Sequence, residues 1–169
     1  MNRLPGSTRT ARLSLELVGP DDAPLMLAVL NDPDFLVHVG DRGVRNIAQA
    51  RDYLQRGAMA SHAAHGLGVY RVTLAAAAEA VGICGLFSRP WLPDPDVGFA
   101  LLPAHRGSGY ALEASEAVLG LGFGVLGLPR IAAITSMDNA GSMRVLQRAG
   151  MRYEGLVRPP DEAASLCLY

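Results

Sequence analysis

The stretch from Asp96 to Leu112 restricts the fold of this chain more than any other. Its first half, Asp96-Val97-Gly98-Phe99-Ala100-Leu101-Leu102, is apolar, is interrupted by glycine and stops at Pro103. Proline cannot donate to a sheet ladder, so the run predicts a buried strand over Val97 to Leu102 that ends there. The second half, Arg106-Gly107-Ser108-Gly109-Tyr110-Ala111, leads at once into a helical apolar pattern. A strand, a short glycine loop and a helix start form a seat for an anion. The first turn of a helix carries free N–H groups and the positive end of the dipole, and glycines let a phosphate reach the backbone. Ser108 is placed to cap the helix and Arg106 to add charge beside the loop. A plain glycine turn between a strand and a helix would show the same residues.

Three phosphate-loop patterns compete for this stretch. A Walker loop needs Gly-Lys-Ser/Thr, and no lysine is present. A dinucleotide fingerprint needs a third glycine where Leu112 stands, and Pro103, Ala104 and His105 separate the strand from the loop. The third pattern, Gln/Arg-x-x-Gly-x-Gly/Ala, is met by Arg106, Gly109 and Ala111. It resembles the acyl-coenzyme A pyrophosphate loop of the GNAT N-acetyltransferase superfamily. One helix and one strand further on, Asn139-Ala140-Gly141-Ser142-Met143-Arg144-Val145-Leu146-Gln147-Arg148-Ala149-Gly150-Met151 is similar to that superfamily's Asn-x-x-Ser-x-x-x-Leu-x-x-x-Gly-Phe/Met segment. The likeness is greatest to the branch that holds the ribosomal-protein alanine N-acetyltransferases. It runs from Leu13 onward, densely after Val81.

A chain of 169 residues suits one domain with a sizeable core. A single N-acetyltransferase domain over 1–169 is expected, with residues 1–11 as a flexible start. Half of the residues are hydrophobic and 18% are charged, which excludes a disordered chain. A net charge of −1 gives no basic face, so no nucleic-acid partner is expected. Apolar runs are broken by glycine or charge within about 20 residues, so no membrane span is expected. The polar start to Thr10 lacks a signal core, and Cys84 and Cys167 lie in strand-like runs where reduced core cysteines are usual. A cytoplasmic location is the expectation. No Cys-x-x-Cys pair exists, and His62 and His65 lack a third ligand, so no metal site is expected.

Periodicity and turn chemistry predict the order β-α-α-β-β-β-α-β-α-β-β. The strands fall at Arg12–Val18, Gly68–Leu74, Val81–Phe87, Val97–Leu102, Arg130–Ser136, Met151–Arg158 and Ser165–Tyr169. The helices follow Asp22, run from Asn46 to Ala64, from Gly109 to Leu126, and from the cap Asn139 to Ala149. Phe35 to Asp41 reads as irregular, and Ser88 to Asp96, with three prolines, as a loop whose Trp91 either plugs the core edge or walls a pocket. Gly120, Gly122 and Gly124 weaken the third helix by about 1 kcal/mol each unless close packing requires them. The class is α/β (α+β), a mixed, mostly antiparallel central sheet with helices on both faces.

The resemblance adds the site. It implies that strands Val97–Leu102 and Arg130–Ser136 splay apart to admit the pantetheine arm of acetyl-CoA, with Gly98 marking a bulge. Backbone at Phe99, Leu101 and Leu102 would orient the thioester. Arg106, Gly107, Ser108, Gly109, Tyr110 and Ala111 would hold the pyrophosphate, and Asn139 and Ser142 the opposite wall. Acetyl-CoA is the co-substrate. The acceptor would be a primary amine of a small molecule or a protein N-terminus, attacking directly in a ternary complex. Many members donate a proton to the thiolate from a tyrosine, and that position is Leu146 here. The ribosomal-protein branch implies Ser142 as acid instead and a carboxylate in the last turn as base, here Asp161 with Glu162 beside it. The protein would be a monomer or homodimer. A non-catalytic acyl-CoA sensor or structural domain is the alternative.

Overall fold

A computed structural model of the protein describes residues 2–160 and 162–169. Strands β1 (Ser7–Arg9), β2 (Leu13–Leu17), β3 (Val69–Leu74), β4 (Glu79–Phe87) and β5 (Asp96–Leu101) form an antiparallel sheet in chain order. Strands β6 (Ile134–Ser136), β7 (Gly155–Val157) and β8 (Leu166–Leu168) form a second sheet in the order β6-β8-β7. The two sheets meet at one parallel bridge, Asp96 beside Ala132. Val97 N–H donates to Ala132 O and Ala132 N–H to Pro95 O, both at 2.8 Å. Beyond it β5 and β6 pair in no further register among the described residues, so a wedge opens between them.

Helices α1 (Ala23–Leu30), α2 (Pro33–His38), α3 (Ile47–Leu54) and α4 (Ala60–His65) precede β3. Met26, Val29, Leu30, Ala50 and Leu54 pack with Val69 and Ile83 on one sheet face. Helices α5 (Tyr110–Gly124) and α6 (Ala140–Arg148) contribute Ala114, Val118, Leu119 and Leu146 to the other core, against Leu13, Leu15, Cys84 and Val97. Adjacent strand residues Ile83 and Cys84 thus enter opposite cores, as the two-residue period of a strand requires. The mixed class with helices on both faces is as the sequence implied. No helix among the described residues is long and apolar enough to cross a membrane.

Several local expectations are corrected. Part of the expected flexible start is ordered: Ser7–Arg9 pairs with β2, and Leu4 is buried, its N–H donating to Gly66 O at 2.9 Å. The segment read as irregular, Phe35 to Asp41, begins inside α2, because Asp32 accepts from Phe35 N–H as the cap and Pro33 presets the first turn. Gly98 is not a bulge. It stands in register opposite Gly85, and a Cβ there would lie 2.9 Å from the Phe87 ring. The register shift lies instead between Val72 and Thr73, opposite Gly82 and Ala80, so Val81 is the extra residue. Of the three helix glycines only Gly122 is required by packing. Its Cβ would meet Ile131 Cδ1 at 2.5 Å, whereas those of Gly120 and Gly124 would meet nothing within 4 Å.

Candidate active site

The wedge between β5 and β6 belongs to a cleft of about 1530 Å³. One wall is β5 with the loop from Arg106 to Leu112, and the other is β6 with the start of α6. Helices α2 to α4 and the loop holding Arg89 and Trp91 close the far side. Trp91 is half-buried and lines this cleft, so it walls a pocket, and its neighbour Leu92 is the buried residue.

Val97 N–H donates to Ala132 O, two residues before β6, and strand alternation turns the N–H groups of Phe99 and Leu101 to the same edge. These two amides face the wedge. Leu102 does not join them: its N–H donates to Val81 O at 2.8 Å, which turns it toward β4. The expected contact through the Leu102 amide is therefore removed by the register of the β4–β5 ladder.

The loop is shaped by two glycines in the left-handed region, Gly107 at φ +78° and Gly109 at φ +83°. A Cβ on Gly107 would meet nothing within 4 Å, which leaves the loop open toward solvent and the cleft. Gly109, not Ser108, is the cap of α5, and no side chain caps it. The left-handed turn at Gly109 carries Ser108 outward and prevents the expected serine cap. Glu113 N–H returns to Gly109 O at 3.1 Å, and this is the first amide after the loop that returns to the helix. Among the described residues, the amides of Tyr110, Ala111 and Leu112 have no partner outside the helix.

The loop is braced from two sides. Arg106 forms ion pairs with Asp32 and Asp34, and its Nε donates to Leu101 O at 3.0 Å. Its charge is thus matched by two carboxylates, and its side chain fixes the loop against α2. Arg12, which the sequence reading did not single out, donates to Ser108 O at 2.9 Å and pairs with Glu113 at 2.6 Å. Its guanidinium covers the Tyr110 ring at 4.7 Å. The only sequence signal for Arg12 was its place at the head of an alternating strand.

On the opposite wall, Asn139 Oδ1 accepts from Ser142 N–H at 3.0 Å and caps α6. Ser142 is half-buried and lines the cleft. Glu162 also lines it, and Asp161 lies outside the described residues. His105, just before the loop, pairs with Glu79 at 3.1 Å. His62 Nε2 sits 3.0 Å from Leu4 O and serves the N-terminal anchor.

Two more cleft residues escaped the sequence reading. Asp96 is buried at the wedge vertex, where burial pushes its carboxyl up and Arg89, at 2.8 Å, opposes the shift. His38 closes α2, with Nδ1 2.9 Å from Ser136 Oγ and 3.4 Å from Asp138 Oδ1. Neither contact has a local signature, because His38 and Ser136 lie 98 positions apart.

An open glycine loop at a helix start thus lies beside two diverging strands, with the Phe99 and Leu101 amides facing the gap. A profile of the acetyltransferase (GNAT) domain matches residues 12–152, and the chain belongs to that family of acetyltransferase enzymes. It is 28% identical over 151 residues to the uncharacterized N-acetyltransferase YoaA of Bacillus subtilis (strain 168), covering 88% of this chain and 84% of that one. It is also similar to an acetyltransferase of Agrobacterium tumefaciens str. C58 of known crystal structure. The two share 26% identity and a TM-score of 0.81, over 96% of this chain and 93% of that one. The fold is shared with a ribosomal L7/L12 α-N-protein acetyltransferase solved with coenzyme A. There the TM-score is 0.82 at 16% identity, over 98% of this chain and 95% of that one.

Proposed function

We propose that this protein transfers the acetyl group of acetyl-CoA to a primary amine by direct attack in a ternary complex. The acceptor is a small molecule or a protein N-terminus. The observation that carries this reading is that the open loop amides and the Phe99 and Leu101 edge share one cleft with Ser142. The pyrophosphate would take the free amides at the start of α5, and the pantetheine would lie as a pseudo-strand along Phe99 and Leu101. The Leu101 amide would donate to the oxyanion formed on amine attack. Arg106 and Arg12 would act by holding the loop, and Arg144 on α6 adds positive charge to the same cleft.

A covalent relay finds no support in the cysteines. Cys84 is fully buried, and burial pushes its thiol up to about 12 against the pull of Ser115 and the Gly85 backbone. Such a thiol supplies almost no thiolate near neutral pH. Ser142 would assist by protonating the departing thiolate.

The experiment is release of free thiol from acetyl-CoA across a panel of amines and peptide N-termini, paired with calorimetry of coenzyme A. Micromolar binding and release with some amine are expected. Binding with no release across the panel would favour a sensor. No heat and no competition by coenzyme A would end the reading altogether.

A further inference from the structure

Amide formation from an amine requires its neutral form, while primary amines are largely protonated at neutral pH. A proton acceptor in the cleft would supply that form. Most of the carboxylates described there are engaged: Asp32 and Asp34 by Arg106, and Asp96 by Arg89. Imidazole is the side chain that changes charge near neutral pH.

His38 is held in an arrangement that suits this task. Asp138 sits below the ordinary carboxylate range, first because the Ser136 hydroxyl donates to it, then through its own backbone N–H and through His38. Nδ1 of His38 lies 2.9 Å from Ser136 Oγ and 3.4 Å from the Asp138 carboxylate, and a carboxylate only accepts, so the ring proton belongs on Nδ1. This assigns the tautomer whose lone pair lies on Nε2. That nitrogen has no partner among the described residues, and the ring is 22% exposed on the cleft wall. Ser136 ends β6, so the ring is tied to the strand that diverges from Phe99 and Leu101. The other charges near α2 are Asp34, bound to Arg106, and Arg42, which donates to Val39 O at 3.2 Å. Arg144 and Glu162 line the same cleft from α6 and the last turn.

We propose that His38 Nε2 takes the proton of the incoming ammonium group, with Ser136 and Asp138 as positioning residues. This rests on the reading of the chain as an acetyltransferase to amines. One N–H bond of the ammonium breaks, and its proton passes to Nε2. The freed lone pair attacks the thioester carbonyl carbon, and the C–S bond breaks. A second amine proton passes through the Ser142 hydroxyl to the thiolate, giving amide and thiol. The imidazolium, held beside the Asp138 carboxylate, returns its proton to water.

The test uses H38N, whose amide can still donate to Ser136 but cannot take a proton. With an amine found by thiol release, kcat/KM at pH 7 should fall on the order of 10²-fold. The deficit should shrink as pH approaches the amine's own range, with KM for acetyl-CoA unchanged. H38A should be partly restored by added imidazole. D138N, altered at an exposed side chain, should move the acidic limb of the wild-type profile to lower pH, because a carboxylate that favours imidazolium is gone. A wild-type profile in H38N, or an acidic limb unmoved in D138N, overturns the proposal. So does a slow H38A beside a normal H38N, which would leave His38 only a bridge. A wild-type protein that releases thiol with no amine would instead sink the transfer reading, and this proposal with it.

Discussion

Replacing Gly109 by alanine puts a side chain where the backbone stands at φ +83°, ψ 4°. The left-handed region costs an L-residue roughly 1–2 kcal/mol and costs glycine almost nothing. The new Cβ would also lie 3.3 Å from Arg12 Nη2, a half-exposed side chain able to yield. The strain must appear in one of two places. If the loop keeps its shape, the whole penalty falls on stability. At about 2–4 °C per kcal/mol for a chain of this size, the melting midpoint should drop by about 2–8 °C, with coenzyme A affinity kept. If the loop relaxes, the amides after Gly109 swing out of line. Losing one hydrogen bond to a charged phosphate, worth about 1.5–3 kcal/mol, then weakens Kd by roughly 10- to 150-fold. Thermal melting and calorimetry on one preparation read both quantities. A variant that melts and binds like the wild type would refute the claim that Gly109 shapes an anion seat.

Ser142→Ala should lower kcat on the order of 10²-fold with acetyl-CoA affinity nearly unchanged, since it removes an interaction of the transition state and not of the ground state. Single-turnover rates beside calorimetry separate the two. Gly120→Ala, at a helix position with open space, should raise the melting midpoint by about 2–4 °C. Gly122→Val, facing Ile131 and Leu86, should cost about 1–3 kcal/mol in urea unfolding. Burial pushes the Glu113 carboxyl up, but the Thr10 hydroxyl and both donors of Arg12 outweigh it and hold it below its ordinary value. Its contribution is present above the unfolded carboxylate range and lost as pH falls through the lower folded value. Glu113→Gln should therefore flatten the fall of the melting midpoint on the acid side, below about pH 5.

What could be read from the chain was what short-range chemistry writes down. Gly107 and Gly109 announced a loop because left-handed backbone is cheap only there, and Asn139 announced a helix start because its cap bond spans three residues. Helix α2 was hidden because Asp32-Pro33 reads equally as a breaker and as a cap. Its second support, Arg106, lies 74 positions from Asp32 and 72 from Asp34. Strand β1 was hidden because Ser7, Thr8 and Arg9 carry no apolar alternation and owe their form to the facing edge of β2. Arg106 showed in the sequence as a charge beside the loop, but its pairing with Asp32 and Asp34 did not, since a charge shows in sequence and its countercharge does not. The His38–Ser136–Asp138 chain and the burial of Asp96 are products of the fold alone.

The single bridge between the sheets makes the wedge a lever. Asp96 is 1% exposed and Ala132 2%, so the fulcrum is dry and closely packed. With about 3.3 Å per strand residue, Leu101 lies about 16 Å from that fulcrum. A rotation of about 5° there would displace the outer lip by roughly 1.4 Å, and a misplacement near 1 Å can cost an enzyme 10²-fold in rate. Pro95 and Ala132, at the fulcrum, thereby gain mechanical advantage over the reacting atoms.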